Sequence, residues 1–156
     1  MTDELAISHL QKRKIEAGVL IPFLAACREK FGDGPTSEAV AAMVRALAAE
    51  EGAAWGGRFG RDVAGLRELA ETVWAGGGGL DIKVLDQSDD RLDFNVTRCR
   101  YAEFYKELGL EDLGTLIHCN RDHAMVVGFN DGIELARSQT IMQGAKCCDF
   151  RFRRKA

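Results

Sequence analysis

The chain has 156 residues, 46% of them hydrophobic and 29% charged, with a formal charge of −3. A chain of this length buries about 68–70% of the surface its unfolded form exposes, so it is expected to fold as one domain over residues 1–156 without a disulfide or metal staple. The composition excludes a disordered or fibrous protein, and interspersed charges give no field that would attract nucleic acid; the one basic cluster, Arg151, Arg153, Arg154 and Lys155, reads as a solvated end.

The N-terminal MTDELAISHLQKRK has acids first and no long apolar core, so no signal peptide is expected, and no run approaches the ~20 apolar residues of a membrane span. A cytoplasmic protein without membrane contact is the expectation, with its five cysteines held as thiols. Leu20, Phe23, Leu24, Cys27 and Phe31 recur at helical spacing and predict an amphipathic helix from Leu20, with Cys27 in its core stripe. Pro22 marks its first turn or a kink after an exposed N-terminal segment, in which His9 is given no role. The FGDGP stretch ends this helix, and Thr36 is the expected N-cap of a second one carrying Val40, Met43, Val44 and Leu47.

The glycine-rich EGAAWGGRFGRD reads as a loop. A third helix follows with Val63, Leu66, Leu69, Ala70 and Val73 as its stripe, ending at Gly76 to Gly79. At Leu80 the apolar period changes from 3.6 to 2: Leu80, Ile82 and Val84, then Leu92, Phe94 and Val96 after the QSDD turn, predict an antiparallel hairpin. Helical spacing returns in Tyr101, Phe104, Tyr105 and Leu108, and, after Gly109, in a helix around residues 111 to 126. Last strands are expected around Ile133 to Ile141 and Cys147 to Arg153. The predicted fold is α+β, a helical N-terminal half packed on a small antiparallel sheet with two further helices between its strands.

The chemistry-bearing residues gather in the last third. If Phe150 and Phe152 face the core, Cys148 shares their face, while Cys147, Asp149, Arg151 and Arg153 take the other. On the helix expected at 111 to 126, Cys119 has Asp122 at i+3 and His123 at i+4, and a thiol beside an imidazole is the setting that makes a nucleophile. The plainer alternative is a helix edge of unconnected polar groups. His118 with Asp122 and Cys119 with His123 also resemble metal-ligand spacing, but no CxxC pair is present, so no metal is expected. The glycine run at 76 to 79 lacks the Lys-Ser/Thr of a phosphate loop, and no cofactor is expected.

Three motifs in order, Phe94-Asn95-Val96-Thr97-Arg98-Cys99, Cys119-Asn120-Arg121-Asp122, and Gly144 through Phe152 (GAKCCDFRF), resemble the L-2-amino-thiazoline-4-carboxylic acid hydrolase family, most strongly over residues 80 to 153. A more distant likeness is to the vinyl-reductase-associated small-molecule-binding domains, a scaffold that binds without catalysing. The first resemblance implies hydrolysis of a small cyclic amidine, the named reaction opening 2-amino-thiazoline-4-carboxylate to N-carbamoyl-cysteine. Such a reaction needs a carboxylate for the amidinium, a nucleophile or activated water, and a cation for the substrate carboxylate. Asp122 is the expected amidinium partner or general base and Cys119 the nucleophile. Cys99 and Cys148 match the family pattern and are expected to line the pocket, with Arg98 or Arg137 as the carboxylate clamp. His123, as proton acceptor for Cys119, is inferred from helical spacing alone. A non-covalent route, in which Asp122 directs water, is the competing mechanism. The only partner implied is a small heterocyclic substrate; Trp55, Trp74 and the glycine-rich stretches are candidates for an interface between copies.

Overall fold

The computed structural model describes residues 6–156. Two long helices open it, α1 (His9–Phe31) and α2 (Asp33–Phe59), joined through Gly32. Gly32 has φ 92°, a left-handed backbone that favours glycine. Arg13 of α1 reaches Glu51 of α2, so the pair runs antiparallel. Helix α3 (Val63–Leu69) continues through a π turn (Ala70–Trp74) and a 3-10 turn (Gly76–Gly78) into a hairpin of β1 (Leu80–Ser88) and β2 (Arg91–Cys99). Helices α4 (Arg100–Glu107) and α5 (Glu111–Ile117), a 3-10 turn (Cys119–Arg121) and α6 (Asp122–Phe129) follow, and β3 (Ile133–Ala136) and β4 (Cys148–Arg154) complete an antiparallel sheet ordered β1-β2-β4-β3. The fold is α+β, as the period change predicts.

The period-2 pattern decides which sheet face is buried. Leu92 pairs with Phe152, Phe94 with Phe150 and Val96 with Cys148, and all six are buried. The opposite face carries polar cross-strand pairs, Arg151 to Asn95 at 2.9 Å and Arg153 to Asp93. Cys148 thus enters the core side of its strand, while Asp149, Arg151 and Arg153 leave it.

The helical half departs from the periodicity reading. Helix α1 begins at His9, not Leu20, under a capping box in which Ser8 accepts from the Gln11 N–H and Gln11 reaches back. It runs through Pro22 and buries Leu10, Ala17 and Leu24, leaving Phe23 and Phe31 more than 60% exposed. Cys27 is only partly buried, not core. Thr36 lies inside α2 and is buried rather than capping it, and Met43 and Leu47 face outward beside Ile15 and Val19 on the outer face of the helical pair.

Residues 51–59 of the glycine-rich stretch read as a loop form about the last two and a half turns of α2. A Cβ on Gly52 would lie 2.0 Å from the Met125 carbonyl oxygen, and one on Gly128 of α6 would lie 2.0 Å from that of Ala49. These glycines let the two helices touch backbone to backbone, which outweighs the roughly 1 kcal/mol that each costs in helix propensity. Trp55 and Trp74 are partly buried against this core, Trp55 beside Phe59 and His9 and Trp74 beside Phe150. No helix among the described residues is long and apolar enough to cross a membrane.

Candidate functional site

Between the core face of the sheet, the α5–α6 corner and the facing helices lies a partly enclosed cavity of about 60 Å³, room for a few waters. Cys99, Cys119, Cys148, Asp122 and Arg137 line one side of it, and His9, Arg13 and Glu51 line the other. Its outer wall, Arg13, Glu51, His118 and Arg121, also lines a wider groove of about 860 Å³ on the surface of the helical pair.

Local structure brings each thiol inward. Cys99 ends β2 and caps α4, its Sγ accepting from the Ala102 N–H at 3.3 Å. Cys148 opens β4 and accepts from the Ile141 N–H at 3.2 Å. Cys119 sits in the 3-10 turn between α5 and α6. Burial pushes the Cys99 thiol up to about 12 and that of Cys119 higher still; it also raises Cys148. All three are therefore protonated thiols at neutral pH, the reverse of an activated nucleophile.

Asp122 opens α6 and takes a hydrogen bond from Arg137, which also donates to the Cys119 carbonyl at 3.2 Å. Arg137 lies 5.7 Å from the Phe150 ring centroid, against the ring face. Burial pushes the Asp122 carboxyl up to about 6, against the pull of Arg137 and Arg121. Its pKa thus falls close to neutrality, where a carboxyl can both take and return a proton.

The facing wall is ionic. Glu51 accepts from Arg13 at 2.5 Å and from Arg121 at 2.8 Å. Burial opposes its charge, but the two guanidinium groups outweigh that and hold its carboxyl below the usual range. His118 stacks on Tyr101 with ring centroids 4.2 Å apart, and His9 meets Tyr101 edge-on at 6.2 Å. Burial, reinforced by Arg13, drives His9 down to about 4 and His118 well below its ordinary value, so both imidazoles are neutral.

Residues 12–152 match the profile described as L-2-amino-thiazoline-4-carboxylic acid hydrolase, nearly the whole chain. The chain belongs to that family. No curated protein gives a match to the sequence. Among solved structures, a trafficking protein particle complex subunit 3 from Naegleria fowleri, described as covalently bound to palmitic acid, is similar with a TM-score of 0.54 and 14% identity, over 92% of this chain and 97% of that one. At that identity the likeness shows a shared fold.

Two of the expected site residues lie outside the cavity. His123 is exposed and does not line it: the helix expected across 111 to 126 breaks at His118, so Cys119 and His123 are not successive turns of one regular helix. Arg98 is exposed on the outer face of β2 and pairs with Glu103 at 2.6 Å. His9, Arg13, Glu51, Tyr101 and Arg121 line the cavity without having been given a role by sequence, and His118, considered there only for its metal-ligand spacing with Asp122, lines it too. One signal for the first two was present: the Ser8-x-x-Gln11 box starts a helix on which His9, Arg13 and Ala17 share a face. Among the described residues, no three His, Cys, Asp or Glu side chains cluster as a metal site would require.

Proposed function

We propose that this member of the hydrolase family opens a small cyclic amidine, of the 2-amino-thiazoline-4-carboxylate type, by the water-directed route with Asp122 as general base. The observation that carries the reading is the cavity-facing Asp122 carboxyl with its pKa near 6, held by Arg137 among three protonated thiols. Water attacks the carbon between sulfur and the two nitrogens as its proton passes to Asp122. The C–S bond then breaks, Asp122 returns that proton to the departing sulfur, and the proton left on the new carbonyl oxygen goes to solvent, matching the one the amidinium carried in. Cys99, Cys119 and Cys148 shape the cavity and offer weak S–H donors to the leaving sulfur.

The test compares two substitutions. Asp122→Asn should lower kcat/KM for 2-amino-thiazoline-4-carboxylate by about 10²- to 10⁴-fold while the protein stays folded. Cys119→Ser should stay within about tenfold of wild type. A Cys119→Ser enzyme as dead as Asp122→Asn, with a covalent adduct trapped on Cys119, would replace this route by the nucleophilic one.

A second reading, binding without turnover, is favoured by the raised thiol pKa values and by the fold shared with a trafficking subunit described as holding palmitic acid. Saturable binding of the thiazoline with no N-carbamoyl-cysteine formed would select it.

A further inference from the structure

The wall between cavity and groove carries more positive charge than negative. Arg13, Arg121 and Arg137 line the cavity against Glu51 and Asp122. Arg137 is committed to Asp122, so the single Glu51 carboxylate answers both Arg13 and Arg121, whose side chains are only 10% and 13% exposed. The two nearby rim charges, Glu16 on Arg13 at 2.7 Å and Lys12 on Glu51 at 3.5 Å, are nearly half exposed and offset each other. A buried cation in excess of its partners is costly, and an anion from outside relieves it.

Donors for that anion are in place. Among the described residues Arg121 gives only Nη2–H, to Glu51; its Nε and Nη1 have no partner and are not sealed from open space. Arg13, nine-tenths buried behind it, keeps an Nε with no hydrogen-bond partner at all. The positive potential is felt by its neighbours, since Arg13 is, after burial, the largest influence lowering both His9 and His118.

We propose that Arg121, backed by Arg13, seats the carboxylate of the substrate at the junction of cavity and groove, which selects an anionic or zwitterionic heterocycle over one lacking the acid group. The ring then extends inward toward Asp122, and Arg137 is left to govern the charge of Asp122 rather than to clamp the ligand. The ring's identity rests on the hydrolase reading; the preference for an anion is read by binding alone.

Calorimetric titration of wild type, Arg121→Gln and Arg121→Lys with 2-amino-thiazoline-4-carboxylate and with 2-amino-thiazoline, which lacks the carboxylate, tests the seat. Charge-assisted hydrogen bonds of this kind correspond to about ten- to hundredfold in affinity. Wild type should prefer the carboxylated probe by at least about tenfold. Arg121→Gln should lose most of that preference while holding 2-amino-thiazoline as before, and Arg121→Lys should keep part of it. The proposal is overturned by no preference in wild type, binding of neither probe included, by a preference that Arg121→Gln leaves intact, or by equal weakening of both probes with melting unchanged. Should Arg121→Gln not fold, the wild-type comparison and Arg121→Lys decide. Product analysis separates the two readings: a carboxylate preference without N-carbamoyl-cysteine removes hydrolysis and leaves the seat, whereas hydrolysis of both probes at equal kcat/KM removes the seat and leaves hydrolysis.

Discussion

The two walls of the cavity solve opposite electrostatic problems. On the sheet side, three thiols are buried with little charge compensation, and each is pushed toward its neutral form. On the helix side, Glu51 is almost as deeply placed but keeps its charge, because Arg13 and Arg121 both lie within 3 Å of it. Burial alone does not set the protonation state; the partner does. Only Asp122 stands between these regimes, with enough cation beside it to stop its pKa near 6.

The contrast is most severely broken by separating the walls. Gly128→Val would drive a side chain into the Ala49 carbonyl, where a Cβ already falls 2.0 Å away, and should lower the melting temperature by more than about 10 °C, as a loss of several kcal/mol does in a domain this size. Glu51→Gln removes the shared carboxylate and leaves two guanidinium groups facing each other; a loss of about 1–3 kcal/mol in denaturant unfolding is expected, below the full cost of a sealed pair because Glu51 keeps 17% exposure. Since the Glu51 pKa is depressed on folding, its contribution should be whole above the ordinary glutamate range and fade as pH falls through the lower folded value; Glu51→Gln should flatten that acid limb.

Sharper but smaller effects concern single groups. If Asp122 is the base, kcat/KM should rise through about pH 6 and level above it, and Arg137→Gln should move that inflection upward, because it removes the cation that opposes burial. An unshifted inflection would separate Arg137 from Asp122. Thiol titration of the folded protein at pH 8 should modify the partly exposed Cys27 and Cys147 first, with Cys99, Cys119 and Cys148 reacting only on unfolding. The smallest effects belong to His123→Ala and Arg98→Ala, each expected within about twofold of wild-type kcat/KM, because both side chains are exposed and neither lines the cavity.

The sheet side of the site was largely legible in sequence. Alternation around Phe150 and Phe152 puts Cys148 on the core face, and the order of the FNVTRC, CNRD and GAKCCDFRF motifs brings Cys99, Cys119 and Asp122 under consideration together. The helix side was not, because its apolar signals misled: Phe23 and Phe31 drew the stripe of α1 to its exposed face, while the buried positions are occupied by residues as small as Ala17. Glycine density had the same effect in α2, where residues that break helices in isolation are the ones a close helix contact requires.

Strand alternation, the hairpin, the α+β class and the inward thiols follow from neighbours a few residues apart, and local sterics and hydrophobic period are written in the chain itself. Which imidazole meets the cavity, and which arginine is free to hold an anion, depends on contacts such as those Glu51 makes with Arg13, 38 residues away, and with Arg121, 70 residues away. Desolvation and ion pairing act through space, so the thiols' neutrality, the near-neutral pKa of Asp122 and the surplus charge at the cavity wall exist only once the helices have closed over the sheet.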